Sequence, residues 1–506
     1  MNARKKMDFL KIFKMFKENL KSKYVVYDNS LHFGDNANNE KINKDNNNGF
    51  FLIREKNKRF FAEVSADKDF SLKDSPVNVL EFNSEKDVFY LGLFDASVNN
   101  SKKLIEVFPD LKPSRMNKKI SVGFGDRIGI ASGAHVKISK EYDYFPLFAQ
   151  QSGREISKTS KDCETVLHNA VMGVFQEGYE GSWGSDADHV GDEKWLNIML
   201  NNTYLPYTMF TIDTYHHINL DGTTPDSYLS DVKFKERLLK SKKYIGKNFS
   251  FAGCNLSYNE ENLHFIVSRY YKSLDFLSDC FNSIKNRIKE FDFEPTFDER
   301  DIDTTPLEHF YISSELINDG VSFSTMAPKF PGLFEKGIDY EGDLKVFAET
   351  LKSHNEIAKY FGSYRLSLHS ADDKFGVFKY LREILGDNFH VKTSGTTWME
   401  SLRTIAKFNP DLFKRILDSV LATAEENSKD YYIVLDYKKI NDYLKNKQLA
   451  DLVDIKETRQ LLHVSYGTVI NEFRNEILET LFNHEEAYMD NIIKNYKNHF
   501  KAIFGN

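Results

Sequence analysis

The sequence predicts an α/β fold: a (β/α)8 TIM-like barrel with a small strand-rich N-terminal domain and a helical C-terminal region. Three observations predict it. Short apolar runs alternate with helical patterns from Ser121 onward, and such alternation means parallel strands joined by helical crossovers. Eight of these runs occur in order, the strand count of a closed barrel. The chain has 506 residues, too many for one ordinary core, which leaves room for flanking units. The boundaries fall at residues 1–115, 116–405 and 406–506.

Each element follows from its local pattern. The first segment, MNARKKMDFLKIFKMFKENLKSK, carries lysines throughout its apolar part, so no uninterrupted signal-peptide core forms. It predicts an amphipathic helix with Phe9, Leu10, Ile12, Phe13 and Phe16 on one broad face. The asparagine-rich, charged GDNANNEKINKDNNNGF predicts a flexible surface loop. Around it, FFLIREK, RFFAEVSA and DVFYLGLFDAS predict short strands. The barrel runs are then SVGFGDR, FPLFAQQS, GSWGSDADHV, YTMFTIDTY, FDFEPTFDE, VSFSTMAPKF, YRLSLHS and FHVKTSGT.

Helices separate these runs. Cys163, Leu167, Ala170, Val171 and Val174 share one face, as do Ile266, Tyr270, Leu274, Leu277, Phe281, Ile284 and Ile288. Thr305 predicts an N-cap before Pro306 for a helix ending at Gly320. GSWGSDADHV is the weakest strand, being glycine-rich and poor in β-branched residues. A ninth strand-like run, LLHVSYG, is assigned to the C-terminal helical region. Several helical patterns lie between Thr396 and Leu461, too many for one barrel crossover. Were LLHVSYG the eighth strand, Asp188 and His189 would fall at the opposite face of the barrel.

Bulk properties exclude several classes. A net charge of −7 and a pI near 6.1, with no basic stripe, argue against nucleic acid. Cys163, Cys254 and Cys280 are far apart and form no CxxC pair, so neither a disulfide framework nor a zinc ribbon is implied. That usage fits a reducing cytoplasm. No run is long and apolar enough to span a membrane.

In such barrels the active site lies at the C-terminal ends of the strands. The runs end there in Asp126 and Arg127, Gln150 and Gln151, Asp188 and His189, Asp213, Asp298 and Glu299, Lys329, His369, and His390 with Lys392. Solvated turns favour Asn, Gly and Ser, so these polar strand ends point to a catalytic mouth. Imidazole and carboxylate together suit Zn, Mn, Ni or Fe, and His189, His369 and His390 all end strands. His216 and His217 are adjacent and cannot present both rings to one face. His354 lies within a helical pattern and reads as structural. GFGDRIG lacks the spacing of a dinucleotide loop. KTSGTT can offer backbone N–H groups, beside Lys392, to a carboxylate or a phosphate.

Taken in order, GFGDRIGIAS, FAQQSGRE, SDADHV, FTIDTYHH, TPLEHFYISSEL, APKFPGLFEKGIDYEGDL, YRLSLHSADDKF and HVKTSGTTWMESLR resemble the tagaturonate epimerase family of bacterial hexuronate catabolism. The resemblance covers roughly Ser121 to Arg403, with HVSYG further on. It implies a barrel enzyme that uses a divalent metal and interconverts D-tagaturonate and D-fructuronate. These keto-hexonates differ at one hydroxyl-bearing carbon. That carbon is not α to the ketone, so enolisation alone cannot invert it. Retro-aldol cleavage of the adjacent bond, rotation of the aldehyde and re-addition can. A metal on the keto oxygen would stabilise the enediolate, and a base and an acid would act from opposite sides.

On that chemistry Asp188 is assigned as base and Glu299 as the opposing acid. His189, Glu335 and His369 are assigned to the metal, with His390 as a substitute ligand or a substrate contact. Arg127, Lys329 and Lys392 are assigned to the substrate carboxylate, and Gln151 and Thr393 to its hydroxyls. The alternative is a metal-dependent aldolase, or another sugar-acid isomerase, on the same barrel. Ala371 stands where the family tends to have glycine and Ser185 where alanine is usual. Both changes are small and leave the assigned ligands intact.

Overall fold

The computed structural model of the chain describes residues 10–11, 13–18, 23–33, 48–66, 68–83, 88–251, 254–298, 302–429, 431 and 436–505. The N-terminal part is a six-stranded antiparallel sheet of β1 (Val25–Val26), β2 (His32–Phe33), β3 (Gly49–Glu55), β4 (Lys58–Ser65), β5 (Asn78–Asn83) and β6 (Val88–Asp95). Both faces of its central strands are buried, which explains runs as apolar as FFLI. Alternation sends Phe51 and Ile53 to one face and Phe50 and Leu52 to the other. The first face packs with Phe13 and Phe16 of the N-terminal helical segment. The second joins the main core, where Phe61 meets Phe175 edge to face. Leu10, expected on the buried face, is 40% exposed. Phe9 and Ile12 lie outside the described residues, as do residues 34–47 of the asparagine-rich segment.

The barrel begins with β7 (Ile120–Phe124), β8 (Phe145–Ser152), β9 (Gly184–Val190) and β10 (Met209–Asp213). An antiparallel hairpin that the sequence did not announce, β11 (Asn248–Phe251) with β12 (Cys254–Ser257), interrupts the series. The barrel then resumes with β13 (Asp292–Thr296), β14 (Thr325–Met326), β15 (Arg365–Leu368) and β16 (Phe389–Thr393). The order is β13-β10-β9-β8-β7-β16-β15-β14, and every neighbouring pair is parallel. The Thr296–Ala327 bridge closes the ring between β13 and β14. These are the eight runs expected, in the expected order.

Several of the crossover helices begin at side-chain caps. Asp162 accepts from Thr165 N at the start of Cys163–Glu177, which Gly178 ends in the left-handed region at φ 55°. Capping boxes open Glu260–Lys285 (Asn259 with Asn262) and Pro306–Asn318 (Thr305 with Glu308). The ninth strand-like run is helical. Its residues lie in helices Lys456–Val464 and Tyr466–Asn483, with Leu461, Leu462 and Val464 buried. GSWGSDADHV is therefore the third strand, and its far end reaches the catalytic face. C-terminal helices wrap the β7 side, where Tyr496 and Phe500 pack on Phe124. Among the described residues no helix is long and apolar enough to cross a membrane.

Candidate active site and metal centre

Neighbouring residues of a strand ordinarily face opposite sides, yet Asp188 and His189 meet at one point. The register of β9 against β10 explains it. Phe210 pairs with Ala187 and Ile212 with Val190, so Asp188 and His189 together stand opposite Thr211. This bulge re-aims a side chain. His189 adopts φ 45°, a left-handed conformation that costs a residue with a side chain about 1–3 kcal/mol. Its Nδ1 donates to Asp188 Oδ1 at 2.8 Å.

His369 follows β15. Its Nε2 donates to Glu294 Oε1 of β13 at 2.8 Å, and its Nδ1 lies 3.1 Å from Asp298 Oδ1. His189 Nε2 stands 3.6 Å from the same Asp298 oxygen. The two rings are 4.9 Å apart. Ligand atoms of His189, Asp298 and His369 all lie within 4.8 Å of one another. Bonds of about 2.0–2.2 Å to a shared ion place ligand atoms roughly 3.0–3.4 Å apart, close to the two contacts with Asp298. Asp188 and Glu294 hold the far nitrogens of the two imidazoles. Once the nitrogens facing Asp298 give up their protons, their lone pairs converge there, the arrangement that orients metal-binding histidines. The residues fit a metal ion.

A buried ammonium joins the same network. Lys392 Nζ of β16 donates to Asp186 Oδ2 at 2.6 Å, to Asp188 Oδ1 at 3.0 Å and to Thr211 Oγ1, and pairs with Glu294 Oε1 at 2.8 Å. Burial opposes every one of these charges, and pairing decides the outcome. His189 and Lys392 hold the Asp188 carboxyl well below the usual carboxylate range despite its burial. Lys392 with His369, and His369 with His189, do the same for Glu294 and Asp298. The imidazoles of His189 and His369 are raised over the opposing effect of burial, the first by Asp188 and Asp298, the second by Asp298 and Glu294. Asp186 is pushed up to about 6 by burial, which Lys392 only partly offsets.

The pocket above is lined by Asp188, His189, His369, Lys392, Gln150 and Thr393, with the cations Arg127, Arg154 and Lys336. Arg127 pairs with Glu155 at 2.7 Å and stacks 3.9 Å above Tyr466. Lys336 Nζ donates to Ser370 Oγ at 2.7 Å. Arg154 lies 5.2 Å over Tyr431. The C-terminal region thus supplies part of the wall.

Several expected residues occupy other positions. The carboxylate of Glu335 is held by Gln460 Nε2 at 2.6 Å, and Asp298 takes the place beside the histidines. Lys392 is neutralised by three carboxylates inside the barrel, which leaves it no charge to spare for a substrate carboxylate. Lys329 donates to Gly332 O at 3.1 Å and does not line the pocket. His390 sits nearer the start of β16, bonded to Ser121 Oγ at 2.8 Å, and burial lowers it to about 3. Gln151 turns away from the pocket to donate to Asp126 O at 2.9 Å, and Gln150 faces inward instead. A register shift in β8 between Leu147 and Ala149 sets that parity. Thr393 reaches the pocket, but its hydroxyl is engaged by Gly123 O and Tyr496. Glu299 lies outside the described residues.

The N–H groups of KTSGTT do bind an anion, and it is the chain's own Asp372. Its carboxylate accepts from the backbone of Ser394, Gly395 and Thr396 at 2.8–3.2 Å. A side chain at Gly395 would strike the His463 ring, whose Nε2 lies 1.7 Å from the position of a Cβ. Asp186, Glu294, Arg154 and Lys336 had been assigned no role. For the first two a signal was present: the acids stand two residues apart in SDAD and four apart in FEPTFD, even spacings that share one face of a strand.

The chain matches the family described as tagaturonate epimerase over residues 38–503. It is 35% identical over 503 residues to the tagaturonate/fructuronate epimerase of Thermotoga maritima, covering 98% of this chain and 100% of that one. The crystal structure of fructuronate-tagaturonate epimerase UxaE from Cohnella laeviribosi with one glycerol superposes with a TM-score of 0.85 at 28% identity, covering 98% of this chain and 99% of that one. The native crystal structure of the same Cohnella enzyme gives a TM-score of 0.83 over the same shares, again at 28% identity. With sequence and fold in agreement over nearly the whole length, the chain belongs to the tagaturonate epimerase family, an isomerase-class family of carbohydrate epimerases.

Proposed function

We propose that this chain interconverts D-tagaturonate and D-fructuronate with a divalent metal held by His189, Asp298 and His369. One observation carries the reading. Two imidazoles from different strands turn a nitrogen toward one carboxylate at the catalytic mouth, and each has its other nitrogen fixed by a further carboxylate. When bound, the ion supplies Lewis-acid stabilisation of the negative charge that builds on the substrate's keto oxygen. The donor set suits Zn, Mn, Ni or Fe.

The chain's own groups do the proton work. Asp188 lines the pocket and is assigned as the base that takes the proton of the hydroxyl on the carbon to be inverted. The bond from that carbon toward the ketone side then breaks. The carbon becomes an aldehyde, and the bonding pair stays on the ketone-side fragment as an enediolate. The aldehyde turns over, the pair re-forms the bond on its other face, and the new alkoxide takes a proton from the opposing acid, assigned to Glu299. Lys392 holds Asp188 in place through its 3.0 Å contact. Arg127, Arg154 and Lys336 supply the positive charge for the substrate carboxylate. The three free cysteines support a cytoplasmic location.

Incubation with D-fructuronate, followed by NMR, is expected to yield D-tagaturonate without accumulating three-carbon fragments. A chelator is expected to stop turnover, and added metal to restore it. Turnover that survives complete metal removal overturns the metal assignment. Persisting fragments overturn epimerisation in favour of an aldolase.

A further inference from the structure

A second cavity lies away from the mouth, where the N-terminal sheet, the barrel and helix Tyr466–Asn483 meet. It has a volume of about 450 Å³, within the range of sites for small organic molecules. Four cations line it, Lys58, Arg59, Lys161 and Arg474, against a single carboxylate, Asp95. Two of the cations are already paired, Lys58 with Asp95 at 2.7 Å and Arg59 with Glu485 at 3.3 Å. The other two are not. Lys161 Nζ donates to Asp126 O at 2.8 Å and Arg474 to Thr159 O. Both acceptors are uncharged main-chain carbonyls, and neither of these half-buried cations forms an ion pair among the described residues, although the carboxylates of Asp126 and Glu155 partly offset the Lys161 charge from further away. Arg59 Nε is buried and has no hydrogen-bond partner among the described residues. The apolar part of the lining is Ile128, Met172, Leu478 and Phe482, the last two following Arg474 at four-residue steps along the same helix face.

We infer that this cavity binds a small organic anion, with its carboxylate or phosphate group between Lys161 and Arg474 and its carbon skeleton against the apolar part of the lining. The charge pattern asks for an oxyanion, since guanidinium and ammonium side by side are the usual partners of both groups. Burial lowers Lys161 to about 8, with Arg474 among the groups that add to the effect. A bound anion reverses both influences. The cavity also has a route to the mouth. The Asp126 carbonyl that Lys161 holds is held as well by Gln151, and the next residue, Arg127, lines the catalytic pocket.

The test is calorimetric titration of the full-length protein with inorganic phosphate and, separately, with succinate, against sodium chloride at equal ionic strength. Saturable binding of one ion per chain is expected for at least one probe, and the stronger probe identifies the source of the oxyanion. Lys161→Met with Arg474→Gln is expected to weaken that binding at least about tenfold, the loss of charge-assisted hydrogen bonds. Thr165→Glu guards against a folding artefact. Thr165 lines the cavity in the first turn of helix Cys163–Glu177, where a carboxylate is favourable, and it would fill the anion position from within. This variant is expected to keep its thermal stability and lose the probe. No saturable binding of either probe at millimolar concentration, or binding unchanged in both variants, overturns the inference.

Discussion

Two pairs of histidines in this molecule have the same spacing and opposite chemistry. The rings of His189 and His369 are 4.9 Å apart, as are those of His309 and His354. The second pair lies between two crossover helices, Pro306–Asn318 and Leu344–Phe361. There His309 Nδ1 meets His354 Nδ1 at 2.8 Å, and His309 Nε2 meets the Tyr364 hydroxyl at 2.7 Å. Phe330 stacks edge-on against His354. Burial drives His309 well below the ordinary imidazole value, with His354 adding to it, and takes His354 down to about 4. Those rings stay neutral, with one proton in the bond between their Nδ1 atoms. In the first pair Asp188, Asp298 and Glu294 raise the imidazoles and orient them. On the proposed reading, carboxylates are what suit a pair of histidines to a metal, which spacing between imidazoles alone does not reveal.

Substitutions test that contrast, ranked by their effect on the metal. His369→Ala removes a ligand. Bound metal by elemental analysis is expected to fall from one ion per chain to none, and turnover by about three orders of magnitude, the several kcal/mol a Lewis acid supplies. Glu294→Gln keeps a side chain of the same shape behind His369 and removes its charge. Metal affinity is expected to drop roughly 10–100-fold, as for other outer partners of metal-binding histidines, while the ion still binds at saturation. Acid acts in the same direction. In the metal-free site the raised imidazoles of His189 and His369 hold their protons above the ordinary imidazole range, so metal must displace protons. Affinity is expected to fall by up to about tenfold per pH unit for each proton displaced as pH drops through that region. His309→Gln is expected to leave metal content and turnover per folded molecule unchanged. It would cost about 1–3 kcal/mol of stability, the penalty for buried polar groups left without partners, read by denaturant unfolding. Loss of metal in that variant would erase the distinction between the two pairs.

The barrel was legible because apolar runs and helical periodicity repeat eight times, and crossovers have limited lengths. LLHVSYG could be placed outside it only by that length argument, since seven residues containing Leu, Val and Tyr carry no period of their own. Within the candidate site, strand ends led to two imidazoles, His189 and His369, that lie together with Asp298 at spacings a metal ion could bridge. What failed was direction. Asp188 and His189 converge through a bulge, and Gln150 replaces Gln151 through a register shift, neither of which is written in residue type. Glu335 was given a ligand's place from its loop position, but Gln460, 125 residues away in sequence, holds it. Lys392 looked like a free cation because the carboxylates that neutralise it come from β9 and β13 and meet it only in the folded barrel.

Anomalous diffraction from crystals grown with manganese tests the central claim most directly. The predicted result is a single strong peak about 2.0–2.2 Å from one atom each of His189, Asp298 and His369, with none between His309 and His354. A principal peak at Glu335, at the His309–His354 pair, or nowhere in the barrel would contradict it.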